Sequence, residues 1–417
     1  MDHNIKSRCL GLAWAAICLC LAVLPGCIQA GPTPEPATIA FAHFDLDTAY
    51  FERLAAAFQE AHPHITVNLQ PKTLEQWARL SPDEADVFLL PSTDAFARMQ
   101  EQGKLIDLTG FVEQDEAIDL SDLYPGAAAF YTVEGKTWAL PAVVDPLVMY
   151  YNKDLFDQYG VAYPQNGWTW QDFLQTGLAL RDPEANAFGY AARELDPLWF
   201  VYQHGGQILD DWQRPTRTTF DDPLTVEALE WYASLVHEYG IAPSRQGAYA
   251  AFAGNGSAEI GFLQGRVGML TGHLYEQGGT LWGREWPMRW GMVTLPRDER
   301  AATLAVGFAY AISAQAPYPK ACWEWIAFLS GQMPSWGIPA RRSLAGSADY
   351  EAQAGPEAAA AARASMEGAM FPFFTRDASL RAIENFVRAV DYVVNQDMPP
   401  QEALDWAQRT APSSAAQ

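Results

Sequence analysis

Residues 140–156 read LPAVVDPLVMYYNKDLF, and the rest of the chain can be arranged around them. Leu147–Tyr151 carries no charge, and an apolar run of this length suits a strand covered on both faces. Pro141, Asp145 and Pro146 come just before it. Each proline fixes its own φ and restrains the residue ahead of it, so the approach is stiff and extended. Asn152-Lys153-Asp154 then opens a short helical pattern that stops at Gly160. A carboxylate held on a rigid crossing between two halves of a chain is well placed to catch a ligand. A surface acid beside a core strand would give the same local pattern.

The chain has 417 residues, too many for one typical domain and suited to two, or to one two-lobed unit. Hydrophobic residues make up 49%, enough for sizeable cores, which excludes disorder as the overall state. The formal charge is −23. A polyanion would be repelled by that average field, so nucleic acid is excluded as a partner.

Lys6 and Arg8 precede an uncharged run from Leu10 to Val23. That run is shorter than the ~20 residues a membrane-spanning helix needs. A basic start, a short apolar stretch and small residues beyond it describe a secretory signal over residues 1–26. Leu24-Pro25-Gly26-Cys27 resembles a bacterial lipobox, which implies cleavage before Cys27 and a diacylglycerol on its thiol; a plain signal peptide with an incidental cysteine is the alternative. Prolines at 32, 34 and 36 make residues 27–38 an extended tether. Of five cysteines only Cys322 would remain free in the mature chain, and it sits in a helical pattern with Trp323, Trp325, Ile326 and Leu329, as a small core residue would.

Beyond the tether, Ile39–Phe44 reads as a strand, Asp47–His62 as a helix, His64–Gln70 as an alternating strand and Asp86–Leu90 as a third strand, followed by a helix from about Ser92 to Gly103. Strands alternating with helices predict a largely parallel sheet, whose ligands meet the loops at the carboxyl ends of the strands. Those loops carry His43, Phe44 and Asp45 after the first strand, and Ser92 and Thr93 after the third. Farther on, Thr169 and Asp172 form a capping box, and Asp222-Pro223 starts a helix that Gly240 stops. Two helical patterns follow Arg376, the last beginning near Pro399, and Glu357–Ala364 is alanine-rich.

The pieces, in order, resemble the sugar-binding family of extracellular solute-binding proteins of ABC transporters, the family that includes maltose-binding protein. They are the lipobox, the early βα units, the Pro-to-Asn strand with Lys153-Asp154-Leu155-Phe156, Thr169-Trp170, Gln264-Gly265-Arg266-Val267-Gly268-Met269, Val306-Gly307-Phe308, the Trp323–Leu329 helix and Gly337-Ile338-Pro339-Ala340-Arg341. The resemblance implies two α/β lobes, each a mostly parallel sheet flanked by helices, with a cleft between them that closes on a ligand. The expected division is 39–145 with 295–331 in one lobe and 146–294 with 332–417 in the other. It further implies a lipid-anchored, extracytoplasmic, monomeric protein that passes a sugar to a membrane permease, with no cofactor, no metal and no catalysis of its own.

The same resemblance places Asp145 at the family's acidic cleft position. It puts Trp199 with its neighbour Phe200, Gly307 with Phe308, and Trp336 in cleft segments, and it places Tyr275 there loosely. Arg341 either bonds a substrate or braces a loop through a salt bridge. These residue types suit a neutral sugar: carboxylates accept from hydroxyls in charge-assisted bonds, and rings cover the apolar C–H faces. With 15 tryptophans, core packing is the competing use of any one of them.

Two other classes compete. A secreted glycoside hydrolase would use paired carboxylates, and 50 acids guarantee pairs somewhere. No Gly-x-Ser-x-Gly, Walker or His-Glu-x-x-His motif is present. A binder of a polyol phosphate would need clustered cations in the cleft, for which Arg341 and Arg342 are the candidates.

Overall fold

The computed structural model describes residues 35–78, 80–81, 83–91, 94–212, 215–252, 257–282, 285–372 and 377–411. The expected signal, Cys27, most of the tether, Ser92 and Thr93 lie outside them. The described strands are β1 (Ala37–Phe44), β2 (Ile65–Lys72), β3 (Val87–Pro91), β4 (Thr132–Val133), β5 (Lys136–Thr137), β6 (Leu140–Asn152), β7 (Phe188–Ala191), β8 (Val267–His273), β9 (Trp290–Val293), β10 (Thr303–Ile312), β11 (Ile338–Pro339) and β12 (Ala369–Met370). Among the described residues, ten of them join in the order β2-β1-β3-β10-β6-β8-β7, with β9 and β11 on β6 and β12 on β10.

β6 is the organising strand, and it is longer than the apolar run predicted. The Pro141–Pro146 approach is itself ladder: Leu140 to Pro146 pairs antiparallel with β10, and Leu147 to Tyr151 pairs antiparallel with β8. The register changes partner between Pro146, opposite Ala305, and Leu147, opposite His273. Asp145, opposite Val306, is therefore one residue before the changeover. Neither proline can donate to the ladder, and they stand where it is interrupted: Pro141 opposite Ala309 at the register shift, and Pro146 at the last pair with β10.

The flanking sheets are mixed. β1 runs parallel to β2 and β3, and β7 parallel to β8, as the alternation of strand and helix predicts, while β6 runs antiparallel to its neighbours and β10 runs antiparallel to β3 and β6 but parallel to β12. The result is the expected two-lobed α/β fold. On the β1–β3 side, Phe41 and Phe58 meet Trp325 edge-on at 5.7 and 5.0 Å between ring centroids. Cys322 is buried beside Trp325, and burial pushes its thiol up to about 12. On the β7–β8 side, the helices Trp170–Leu180, Asp196–His204, Pro223–His237, Asp377–Gln396 and Pro400–Thr410 share one apolar core. The Thr169 hydroxyl accepts from the Asp172 amide while the Asp172 carboxylate accepts from the Thr169 amide, the capping box read from sequence. Gly160 closes Lys153–Tyr159 at φ +67°, where a side chain would be strained. Asp222 caps Pro223–His237.

That second core corrects one expectation. Trp199 and Phe200 are both 0% exposed and lie ring on ring at 3.5 Å, inside Asp196–His204. They pack with Trp170, Trp231 and Tyr232 rather than lining a cleft. A helix buried on nearly every face sends all its large side chains into the core.

Candidate functional site

Asp145 is completely buried at the crossing. Its Oδ1 accepts the Tyr275 amide at 3.1 Å, and its Oδ2 lies 2.8 Å from His273 Nδ1 as an ion pair. The partner change in β6 brings these groups together: Leu147 pairs with His273, so the turn that follows β8 is delivered to the Asp145 side chain. Burial raises the Asp145 carboxyl above the usual range, against the pull of His273. For His273, burial works against protonation, but the Asp145 carboxylate and then Glu276 outweigh it and hold the imidazole above its ordinary value.

A line of rings runs away from this pair. Tyr275 stacks on His273 at 5.3 Å and meets Trp336 edge-on at 6.2 Å. Trp336 stands at 89° to Phe308 at 4.7 Å, and Phe308 meets Phe44 at 5.9 Å. Phe44 in turn stacks on buried Trp77 at 4.3 Å. Tyr275, Trp336, Phe308 and Phe44 are each only partly buried. Edge-to-face pairing fixes the orientation of Trp336 against Phe308 and Tyr275, while Tyr275 and Phe44 each have one face stacked on a neighbour. Asp47 sets Trp336: its carboxylate accepts from Trp336 Nε1 at 2.9 Å and from Ser335 Oγ at 2.7 Å. Burial, with Asp145 next, pushes the Tyr275 phenol up to about 12, so it stays a neutral donor.

Five residues expected at the cleft therefore converge: Phe44, Asp145, Tyr275, Phe308 and Trp336. Asp45 is exposed at the start of the turn beside Phe44. Gly307 pairs with Val144, and a Cβ there would sit 3.4 Å from the rings of Tyr131 and Phe371, so its smallness serves packing. Arg341 resolves to the brace: its Nε donates to Asp122 Oδ2 at 3.1 Å and Nη2 to the Ala117 carbonyl at 3.4 Å. Ser92 and Thr93 lie outside the described residues.

His273, Glu276, Asp47 and Trp77 were not singled out from sequence. Asp47 alone left a local signal, as an acid three residues beyond Phe44. His43 was noted only as a loop residue; it is buried, its Nδ1 2.7 Å from the Phe44 carbonyl, and burial keeps its pKa below the ordinary value. Among the described residues no group of three His, Cys, Asp or Glu is arranged to hold a metal ion. Three cavities of about 520, 510 and 520 Å³ are lined by none of the expected cleft residues.

A buried acid and a line of partly buried rings, set where one strand crosses a two-lobed α/β fold, suit a solute-capturing protein. The chain belongs to the bacterial extracellular solute-binding protein family, which it matches over residues 45–333. It is 28% identical to a mannitol-binding protein of Pseudomonas aeruginosa over 365 residues, 76% of this chain and 75% of that one. Other curated binding proteins, from Brucella abortus among others, match at 24% identity and over about half their length (53%). Its fold is shared with a substrate-binding protein of Listeria monocytogenes in complex with cycloalternan (TM-score 0.72, 23% identity, 90% of this chain and 98% of that one). It is likewise shared with the cyclic α-maltosyl-1,6-maltose binding protein of Arthrobacter globiformis (TM-score 0.75, 18% identity, 91% and 99%). Membership in an extracellular family places the protein outside the cytoplasm, and no described helix is long and apolar enough to cross a membrane.

Proposed function

We propose that this protein captures a neutral carbohydrate or polyol in the cleft and hands it, unaltered, to the membrane subunits of an ABC importer. The observation that carries this reading is one buried carboxylate, Asp145, at the head of a line of four half-exposed rings. Rings cover C–H faces, and acids and the Tyr275 hydroxyl exchange hydrogen bonds with ligand hydroxyls. Arg341, the cation that an anionic ligand would need, is engaged by Asp122. Relatives whose names record mannitol and cyclic oligosaccharides support the same class. The moving bodies in this reading are residues 39–145 with 295–331 and residues 146–294 with 332–417, closing as a monomer, and Cys27 carries a lipid that holds the protein at the membrane.

A thermal-shift panel of D-mannitol, monosaccharides, maltose and linear and cyclic oligosaccharides tests it, since a ligand that binds only the native state raises the melting temperature. No shift across the panel overturns the carbohydrate class, and release of reducing ends by the pure protein would establish the hydrolase instead. Intact mass of membrane-extracted protein decides the anchor: a diacylglycerol adduct at Cys27 is expected, and it should vanish in Cys27→Ser.

A further inference from the structure

The turn Leu274–Trp282 that presents Tyr275 is not relaxed. Gln277 sits at φ +33°, followed by Gly278 at +70° and Gly279 at +81°. A non-glycine residue there persists only where its surroundings over-determine it. Gly278 is needed as well for space, because a Cβ would fall 2.1 Å from Trp290 Nε1.

Two groups pin this turn from beneath. The Tyr150 hydroxyl donates toward the carbonyls of His273 at 2.8 Å and Leu274 at 3.2 Å, and accepts the Gln277 amide at 2.9 Å. Arg193 meets Glu276 with both prongs of its fork, Nη1 to Oε1 at 2.7 Å and Nη2 to Oε2 at 2.8 Å. Glu276 Oε1 also accepts the His273 amide at 3.0 Å. On its other edge, Arg193 Nε lies 2.9 Å from Glu259 Oε1, on the helix Ala258–Leu263. The guanidinium thus joins the turn to a helix behind it, in a planar two-point contact that a lysine could not reproduce.

We propose that Arg193 is a positioning residue for ligand capture. By tying Glu276 to Glu259 it holds the strained turn in the form that aims the Tyr275 amide at Asp145 and the Tyr275 ring at Trp336. This rests on the cleft reading above. Arg193 acts on the ligand through the placing of residue 275, and the share of its effect carried by the Tyr275 ring depends on that ring being present.

Hydrogen exchange and a double-mutant cycle test it together. Arg193→Met should speed exchange of the Tyr275 and Gln277 amides while leaving the amides of Pro223–His237 unchanged. Affinity for whichever of D-mannitol, D-tagatose or maltose binds the native protein should fall by about tenfold, the scale of a lost charge-assisted contact. That fall should be clearly smaller in a Tyr275→Ala background, which keeps the residue-275 amide but lacks the ring, whereas a merely structural role gives the same loss in both backgrounds. Unchanged exchange at 275 and 277, or equal losses in the two backgrounds, overturns the proposal. If Tyr275→Ala alone leaves affinity intact, the cleft reading fails, and exchange still decides whether the clamp exists. Should Arg193→Met not fold, Arg193→Lys, which keeps the charge without the fork, gives the same readouts with smaller expected changes.

Discussion

Asp145 accepts the Tyr275 amide, faces the His273 imidazole and is shut off from water. Its removal therefore acts twice. Losing a charged acceptor costs about 1.5–3 kcal/mol of ligand binding, or roughly ten- to a hundredfold in affinity. Asp145→Ala also strands the Tyr275 amide and takes away the carboxylate facing His273, so the empty protein should lose about 1–3 kcal/mol, read from urea unfolding. Asp145→Asn keeps an acceptor for Tyr275 but not the charge. It should bring the His273 pKa down, because burial then dominates, and an NMR titration of the His273 ring would show this; an unmoved pKa would mean that the ion pair does not form. Proline, acid and apolar strand pointed to Asp145 locally. His273 could not be read the same way: it reaches Asp145 only through the pairing of Leu147 with residue 273, and no local pattern encodes a ladder between positions so far apart.

The helix Asp196–His204 shows both what a segment's sequence reveals and where it stops. Its Asp-Pro start and Gly205 end mark its limits, since Gly205 takes the left-handed position at φ +99°. Which use its aromatics serve was not legible, because Trp199-Phe200 looks the same whether a helix turns toward a cleft or into a core. Full burial predicts that Trp199→Ala costs about 3–5 kcal/mol of stability. Calorimetric affinity should be unchanged under conditions where the variant is folded; a loss of affinity without a loss of stability would return Trp199 to the cleft. The same helix ends in a pH-dependent fastening. His204 Nδ1 lies 2.6 Å from Asp298 Oδ2, and Nε2 lies 3.1 Å from Glu227 Oε2. Burial lowers its pKa, but the hydrogen bonds that Asp298 and then Glu227 accept from the ring prevail, so the folded value is raised. That stabilisation is complete below the unfolded value near 6.5 and is lost as pH rises through the higher folded value. Melting temperature should accordingly fall from pH 5.5 to pH 8.5 more steeply in the native protein than in His204→Gln.

At the scale of the molecule, β6 pairs with β10 as far as Pro146 and with β8 from Leu147 on, so a single strand runs through the changeover. The closure proposed above would bend β6 at this changeover rather than slide two surfaces past each other, and the irregularity between Phe308 and Ala309 is where its ladder with β10 is already broken. Scattering from protein saturated with a carbohydrate from the panel should give a smaller radius of gyration than empty protein; an identical curve would rule out closure. The two-lobed plan was read from the chain's length and from what the family resemblance implies, and the order of strands and helices gave only the parallel pairings. The continuity of β6 through Pro141 and Pro146 was not, because prolines there suggest an approach to a strand rather than part of one. The long reach of that strand also bears on inheritance. Phe41 and Phe58, near the start of the described chain, are completed by Trp325, while Trp199 and Phe200 share their core with Phe386 and Leu404 near the other end. Neither lobe corresponds to one uninterrupted stretch of the gene. A stop codon before residue 319 would take Trp325 from one core and Phe386 and Leu404 from the other, so a chain cut there leaves both halves unfinished.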